Sequence, residues 1–278
     1  MKKLIEAPFL PFKVNVYLTN HCNYSCEYCF LKEQNILNTE FINKEMLKKI
    51  IFYLNKYSVP LVSICGGDPL ISEYYIDFVK ELMQNKNYVV TATNAVNLEK
   101  DFFLQLKEIG IKYLQIGVDS IRNEKKYNYK ENGHLNKVLT SIKILKEIGI
   151  KYGMGVCITK DNIKDFDELL LFALKNKFEL LKIAFYNGEN PKFKLSNTEI
   201  DNFLKKVIKY NLQYNNYIKS SLLPKTLHYV SEFPTITLGT NGDILIEENN
   251  LKIGNIMNDD PGIMYIKYLN SRRNENEI

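Results

Sequence analysis

No apolar run in these 278 residues approaches the roughly 20 consecutive positions that a membrane-spanning helix requires. The opening Met1-Lys2-Lys3-Leu4-Ile5-Glu6-Ala7-Pro8 breaks its short apolar stretch with Glu6 and Pro8, so it does not read as an export signal. Cysteine is scarce: five residues, three crowded between Cys22 and Cys29 and two isolated at Cys65 and Cys157, form no disulfide framework for a chain of this size. A reducing cytoplasm is the expected location. The formal charge of +5 is spread along the chain without a dense basic arm or interleaved aromatics, which argues against a nucleic-acid partner. The lysines at 125, 126 and 130, and at 205, 206 and 209, read as solvated surface. Histidine occurs three times, and neither His134 nor His228 has a recognisable partner. Tryptophan is absent, a bias of composition with no functional reading.

What is present is apolar periodicity, and 45% hydrophobic residues are enough for a sizeable core. Lys13 to Thr19 alternates, with Val14, Val16 and Leu18 on one side, and predicts a strand. Asn43 can cap a helix in which Met46, Leu47, Ile50, Ile51 and Leu54 share a face. Strands are then expected near 61–65, 88–93, 112–118, 150–158 and 180–185, with helices near 73–83 and 99–109 and another carrying Leu135, Val138, Leu139, Ile142 and Leu145 on one face. Leu106-Lys107-Glu108-Ile109-Gly110-Ile111-Lys112 recurs unchanged as Leu145-Lys146-Glu147-Ile148-Gly149-Ile150-Lys151. Each copy puts Gly where a helix ends in a left-handed turn before the next strand, the joint of a βα repeat. Six strand–helix units imply an α/β fold with a parallel sheet curled into a partial (βα)6 TIM-like barrel, spanning 1–192. A small C-terminal α+β extension is expected over 193–278: a helix near 197–214, and two apolar runs joined by Gly239-Thr240-Asn241-Gly242-Asp243, a hairpin signal.

The cysteines follow the first strand as Cys22-x3-Cys26-x2-Cys29 within Thr19-Asn20-His21-Cys22-Asn23-Tyr24-Ser25-Cys26-Glu27-Tyr28-Cys29-Phe30. Three thiolates on one short loop can hold three corners of a cubane and leave one iron without a protein ligand. A zinc site closed by His21 is the alternative, disfavoured because adjacent side chains such as His21 and Cys22 diverge. This spacing, with aromatic Tyr28 before the last cysteine, resembles the defining motif of the radical S-adenosylmethionine (radical SAM) superfamily. The resemblance implies one 4Fe-4S cluster on Cys22, Cys26 and Cys29, with the cofactor's methionine moiety on the open iron. It further implies one-electron cleavage to a 5′-deoxyadenosyl radical under anaerobic conditions, an external flavodoxin- or ferredoxin-type electron donor, and abstraction of a substrate hydrogen atom.

Further matches lie at strand ends, where such a barrel places its chemistry. Gly66-Gly67-Asp68-Pro69 resembles the family's Gly-Gly-Glu-Pro, which holds the cofactor's amino group; Asp68 keeps the charge with a shorter reach. Thr93-Asn94-Ala95 resembles Thr-Asn-Gly, so Thr93 or Asn94 is expected to face the cofactor, a polar strand end being the plain alternative. Gln115-Ile116-Gly117-Val118-Asp119-Ser120 resembles a Ser-Leu-Asp ending with Gly117 where a ribose-contacting Ser often stands, and Gln115 or Asp119 would compensate. Lys130 stands near a family Arg that pairs with the cofactor carboxylate, although a solvated loop lysine reads as well there. Cys65 and Cys157 read as small buried residues; were the reaction an epimerisation, they or a tail tyrosine would be the candidate hydrogen donors.

The segment from Ile236 to Ile256 resembles the SPASM/twitch-like extension of many peptide-modifying relatives and of some that act on small molecules. Relatives place auxiliary-cluster cysteines there, and this chain has none after Cys157, so a single cluster is expected. About a dozen residues precede the first strand, too few for the leader-binding domain fused to many peptide maturases. Three functions stay open: epimerisation or cross-linking of a ribosomal peptide, which leads; dehydrogenation or rearrangement of a small metabolite; and non-catalytic iron-sulfur or metal binding.

Overall fold

The computed structural model describes residues 7–37, 42–95, 98–121, 133–220, 222–223 and 233–275. Its contacts divide the chain into two interleaved units, one comprising Met1–His21, Asn38–Val90 and Tyr229–Ile278, the other Cys22–Leu37 and Thr91–His228.

The first unit is built around β1 (Lys13–Thr19), whose neighbour on one side is β2 (Leu61–Gly66), parallel, with Val14 opposite Val62 and Val16 opposite Ile64. On its other side β1 pairs, also in parallel, with β8 (Ile236–Leu238), Val14 facing Ile236 and Val16 facing Leu238. The chain then turns back into β9 (Asp243–Ile246) and β10 (Leu251–Asn255), both antiparallel to their predecessors. The hairpin expected at Gly239–Asp243 is present, with the Gly239 N–H donating to the Asp243 carbonyl at 2.8 Å. Its first strand sits beside β1, across more than 200 residues of intervening sequence.

Two helices connect these strands. In α2 (Lys44–Lys56) the Asn43 side chain accepts the Met46 N–H at 2.9 Å, satisfying one of the helix's open donors. Met46, Leu47, Ile50 and Leu54 are buried, each stabilising the fold by about 1.5–3 kcal/mol. The end of α2 is tied to α8 (Pro261–Glu275) through Asp260, which receives the Tyr57 hydroxyl at 2.6 Å and the Lys56 ammonium at 2.5 Å. α3 (Tyr75–Gln84) buries Tyr75, Phe78, Val79 and Leu82 on one face.

β3 (Tyr88–Thr93) leaves the first unit at Val90 and enters the second at Thr91. There β4 (Tyr113–Gly117), β5 (Lys151–Ile158), β6 (Leu181–Phe185) and β7 (Ile218–Lys219) follow in sequence order, all parallel. The connecting helices are α4 (Lys100–Glu108), α5 (His134–Ile148), α6 (Phe166–Lys175) and α7 (Asn197–Gln213), the last opened by a Ser196/Glu199 capping box. Gly149 ends α5 at φ 78°, the left-handed turn expected from the repeated heptapeptide. Strands alternating with helices around a parallel sheet give the expected α/β class. The two-residue β7 has no sequence signal, because a strand that short carries no period. Among the described residues no helix is long and apolar enough to cross a membrane.

Candidate active site at the cysteine loop

Alternation within the second unit creates two unlike faces. Leu114 and Ile116 of β4 and Met154, Val156 and Ile158 of β5 are buried. Between them stand Gln115, Gly117, Gly153, Gly155 and Cys157, paired Gln115 to Gly153, Gly117 to Gly155, and Cys157 to Ala184 of β6. This second face is lined by small residues, and the Gln115 amide projects over Gly155: a Cβ added there would lie 3.3 Å from Gln115 Nε2. The Gln115 Oε1 accepts the Tyr113 hydroxyl at 2.8 Å, while its buried Nε2 has no hydrogen-bond partner.

The cysteine loop and the short α1 (Phe30–Glu33) that follows are fastened to successive strand ends of this unit. Beyond β3, the Asn94 amide donates to Asn23 Oδ1 at 2.7 Å and lies 3.9 Å from the Cys22 sulfur. At β4, the Tyr28 hydroxyl donates to Asp119 Oδ2 at 2.5 Å, and Asp119 Oδ1 accepts the Cys157 N–H from β5 at 2.7 Å. Past β6, the Tyr186 hydroxyl donates to the Glu33 carboxylate, and Lys192 pairs with Glu27 at 2.5 Å. Tyr24 reaches inward to His134, hydroxyl to Nδ1 at 3.2 Å, and His134 Nε2 lies 3.4 Å from the Gly117 carbonyl. Tyr28, Tyr186 and Phe193 form a buried aromatic cluster against which Cys26 and Cys157 pack.

All five cysteines are free thiols, each partly exposed. The Tyr24 N–H donates to the Cys22 sulfur at 3.4 Å, the kind of backbone donor that softens thiolate charge at an iron-sulfur site. Among the described residues no three His, Cys, Asp or Glu side chains already close on one point. Three soft sulfur donors on a loop this short nevertheless fit a thiolate-bound cluster, since metal binding itself supplies the free energy that draws ligands together. Burial first, then Asp119, Cys26 and Cys29, push the Cys157 thiol up, so it stays protonated at neutral pH. Burial and its bond to Asp119 likewise raise the Tyr28 phenol. Tyr186 is pushed up to about 12 by burial and by Glu33.

In the first unit, Gly66-Gly67-Asp68 packs against residues 19–21, the segment that enters the loop. The Gly67 N–H donates to the Thr19 carbonyl at 2.8 Å, and the Asp68 N–H to the His21 carbonyl at 2.9 Å. A Cβ at Gly67 would stand 1.9 Å from the His21 carbonyl oxygen, so this close approach is made to the protein's own chain. Asp68 is buried, and its Oδ1 accepts the Leu70 N–H at 3.1 Å. Asn20 donates to Thr240 Oγ1 at 2.8 Å, leaving its buried Oδ1 without a partner. Cys65 donates to the Ser63 carbonyl at 3.6 Å.

Of the two polar residues ending β3, Asn94 is the one beside the cysteine loop. Thr93 pairs with buried Ile116, and its Oγ1 accepts the Ala95 N–H at 2.9 Å. Lys130 and His228 lie outside the described residues. Sequence reasoning missed Tyr24, Glu33, His134 and Tyr186. For His134 the partner is 110 residues away, and for Glu33 and Tyr186 no local pattern marks the pairing.

Residues 16–173 match the family model described as the Radical SAM superfamily. Among characterised relatives, a GTP 3',8-cyclase of Clostridium perfringens (strain SM101 / Type A) is 29% identical over 200 residues, 69% of this chain and 62% of the relative. An S-adenosylmethionine-dependent nucleotide dehydratase of Flammeovirga pacifica is 23% identical over 272 residues, 91% of each chain. Among solved structures, Streptococcus suis SuiB bound to S-adenosylmethionine superposes with a TM-score of 0.72 at 18% identity, covering 92% of this chain and 66% of SuiB. Native anSMEcpe with bound AdoMet and a peptide gives 0.74 at 13% identity, covering 94% of this chain and 81% of anSMEcpe. The chain thus spans less than two thirds of the cyclase's length, and these structural likenesses establish a shared fold.

Proposed function

This chain belongs to the radical SAM superfamily, and on that premise we propose that Cys22, Cys26 and Cys29 hold one 4Fe-4S cluster serving hydrogen-atom abstraction from a ribosomal peptide, leading to its epimerisation or cross-linking. The chain is an enzyme, and its family implies the cluster, S-adenosylmethionine, a reductant and a substrate. When bound, the cluster supplies the electron for one-electron cleavage of S-adenosylmethionine, the source of the abstracting radical.

The observation that carries this reading is the loop itself: three free thiols on eight residues, fastened beyond the strand ends by Asn94, Asp119 and Lys192. On the family resemblance, cofactor contact is assigned to Asp68, Asn94 and Gln115, with Tyr28, Gly66, Gly67 and Lys130 as the further positions its motifs suggest. The unpartnered Nε2 of Gln115 supports its share, because a buried donor without an acceptor costs about 1–3 kcal/mol unless a ligand supplies one. Tyr28, Tyr186 and Phe193 pack against Cys26 and cover part of it. Cys157, packed against the aromatic cluster beside Cys26, and Cys65 are the proposed hydrogen-donor candidates. The tail after residue 192 is assigned no second cluster, a flavodoxin- or ferredoxin-type protein supplies the electron, and the cytoplasm is the proposed location.

Neighbours solved with peptides, SuiB with its precursor SuiA and anSMEcpe, support the peptide substrate. A small-molecule substrate is the second reading, favoured by the nucleotide dehydratase, which aligns with this chain nearly end to end. Anaerobic reconstitution followed by dithionite and S-adenosylmethionine is expected to release 5′-deoxyadenosine. Zinc held by the purified protein, with no 5′-deoxyadenosine formed, would sink the proposal. Deuterium transfer into 5′-deoxyadenosine from labelled peptide or labelled nucleotide decides between the two substrates.

A further inference from the structure

We propose that Asp119 is a positioning residue for the cysteine loop, acting through Tyr28, in place of the ribose contact its sequence position suggests. This rests on the reading of Cys22, Cys26 and Cys29 as cluster ligands. The loop has little regular structure of its own: Cys29 N–H donates to the Cys26 carbonyl at 3.2 Å, and α1 starts only at Phe30. Ordering such a segment costs conformational entropy at every residue, so its sulfurs keep their places only if side chains anchor it.

Tyr28 is that anchor, because it neighbours Cys29 and stands two residues from Cys26. Its ring is buried, edge-on to Phe193 at 6.1 Å between centroids, and its hydroxyl reaches Asp119 Oδ2 at 2.5 Å. Asp119 is itself held from two further directions. Its Oδ1 accepts the Cys157 N–H at 2.7 Å, and its carbonyl accepts the Asn162 amide at 3.1 Å. The same Asn162 amide donates to the Cys157 carbonyl at 2.8 Å, while Asn162 Oδ1 accepts the Thr159 N–H at 2.9 Å. The carboxylate therefore joins the ends of β4 and β5 and hands that rigidity to the loop through one phenol. Both of its oxygens serve protein donors, so a role in binding ribose is not needed to explain a buried acid here. Removing it leaves the Cys157 N–H and the Tyr28 hydroxyl without this acceptor. Asn at this position would still offer one oxygen to the N–H and one amide hydrogen to the phenol oxygen.

The test is the alkylation rate of Cys26 and Cys29 in reduced, metal-free full-length protein, resolved by peptide mass spectrometry with Cys65 as internal reference. Y28F and D119A are expected to raise both rates about tenfold or more, the effect of losing a hydrogen bond to a charged group. D119N is expected to stay within about threefold of wild type, by the geometry just given. Wild-type rates in Y28F overturn the proposal whatever D119A does, as does a D119N protein as reactive as D119A. Should D119A fail to fold, Y28F decides, since it removes a single oxygen. The assay contains neither iron nor S-adenosylmethionine, so its failure is separable from failure of the 5′-deoxyadenosine test.

Discussion

Replacing Gly67 by Ala tests how the Gly-Gly-Asp segment supports the chain entering the cysteine loop. The added methyl carbon would lie 1.9 Å from the His21 carbonyl oxygen and 2.4 Å from its carbon, against an ordinary contact of about 3.5 Å. Backbone cannot rotate away as a side-chain tip can, so the two segments must separate by roughly 1.5 Å for that contact to be restored. Such a shift breaks the Gly67–Thr19 and Asp68–His21 hydrogen bonds, 2.8 and 2.9 Å long, at about 0.5–1.5 kcal/mol each. Overpacking adds about 1–3 kcal/mol, giving a loss of roughly 2–6 kcal/mol. Urea unfolding of metal-free wild-type and G67A protein measures it, with unchanged m-values as the condition for comparison. A G67A protein within about 0.5 kcal/mol of wild type would refute the steric argument, and with it the reading that these glycines first serve the protein's own backbone.

Gly149→Ala is the contrasting case, because a Cβ there meets nothing within 4 Å and only φ 78° opposes it. A loss of about 1 kcal/mol in the same unfolding assay is expected, well below that of G67A. At Asp260, burial works to raise the carboxyl, but the hydrogen bonds from Lys56 and Tyr57 prevail and hold it below the usual carboxylate range. A depressed folded pKa stabilises the protein above the unfolded value and loses that contribution as pH falls through the folded one. The stability advantage of wild type over D260N, followed by denaturation between pH 7 and pH 3, is therefore expected to shrink below about pH 4. Iron and sulfide analysis of the reconstituted protein is expected to give about four of each per chain, and iron well above that would defeat the single-cluster proposal.

The sequence by itself determined whatever depends on near neighbours along the chain. Helical faces such as Met46, Leu47, Ile50 and Leu54, the glycine that ends α5, and three cysteines within eight residues are all set by spacings shorter than three turns of helix. These features fix the α/β alternation and the family. Tertiary structure decided what depends on which strand lies beside which. Register turned Asn94 and not Thr93 toward Cys22, because pairing Thr93 with Ile116 commits it to the opposite side of the sheet. Asn15 meets Thr237 across 222 residues, which puts β8 next to β1, a pairing that no local period announces. The use of Asp119 is likewise a three-dimensional outcome: its partners at 28 and 157 come from opposite sides in the sequence and meet only where the folded strand ends do. Local propensity acts over a few residues, whereas hydrogen-bond partners for buried polar groups are supplied by whatever the completed sheet brings within about 3 Å.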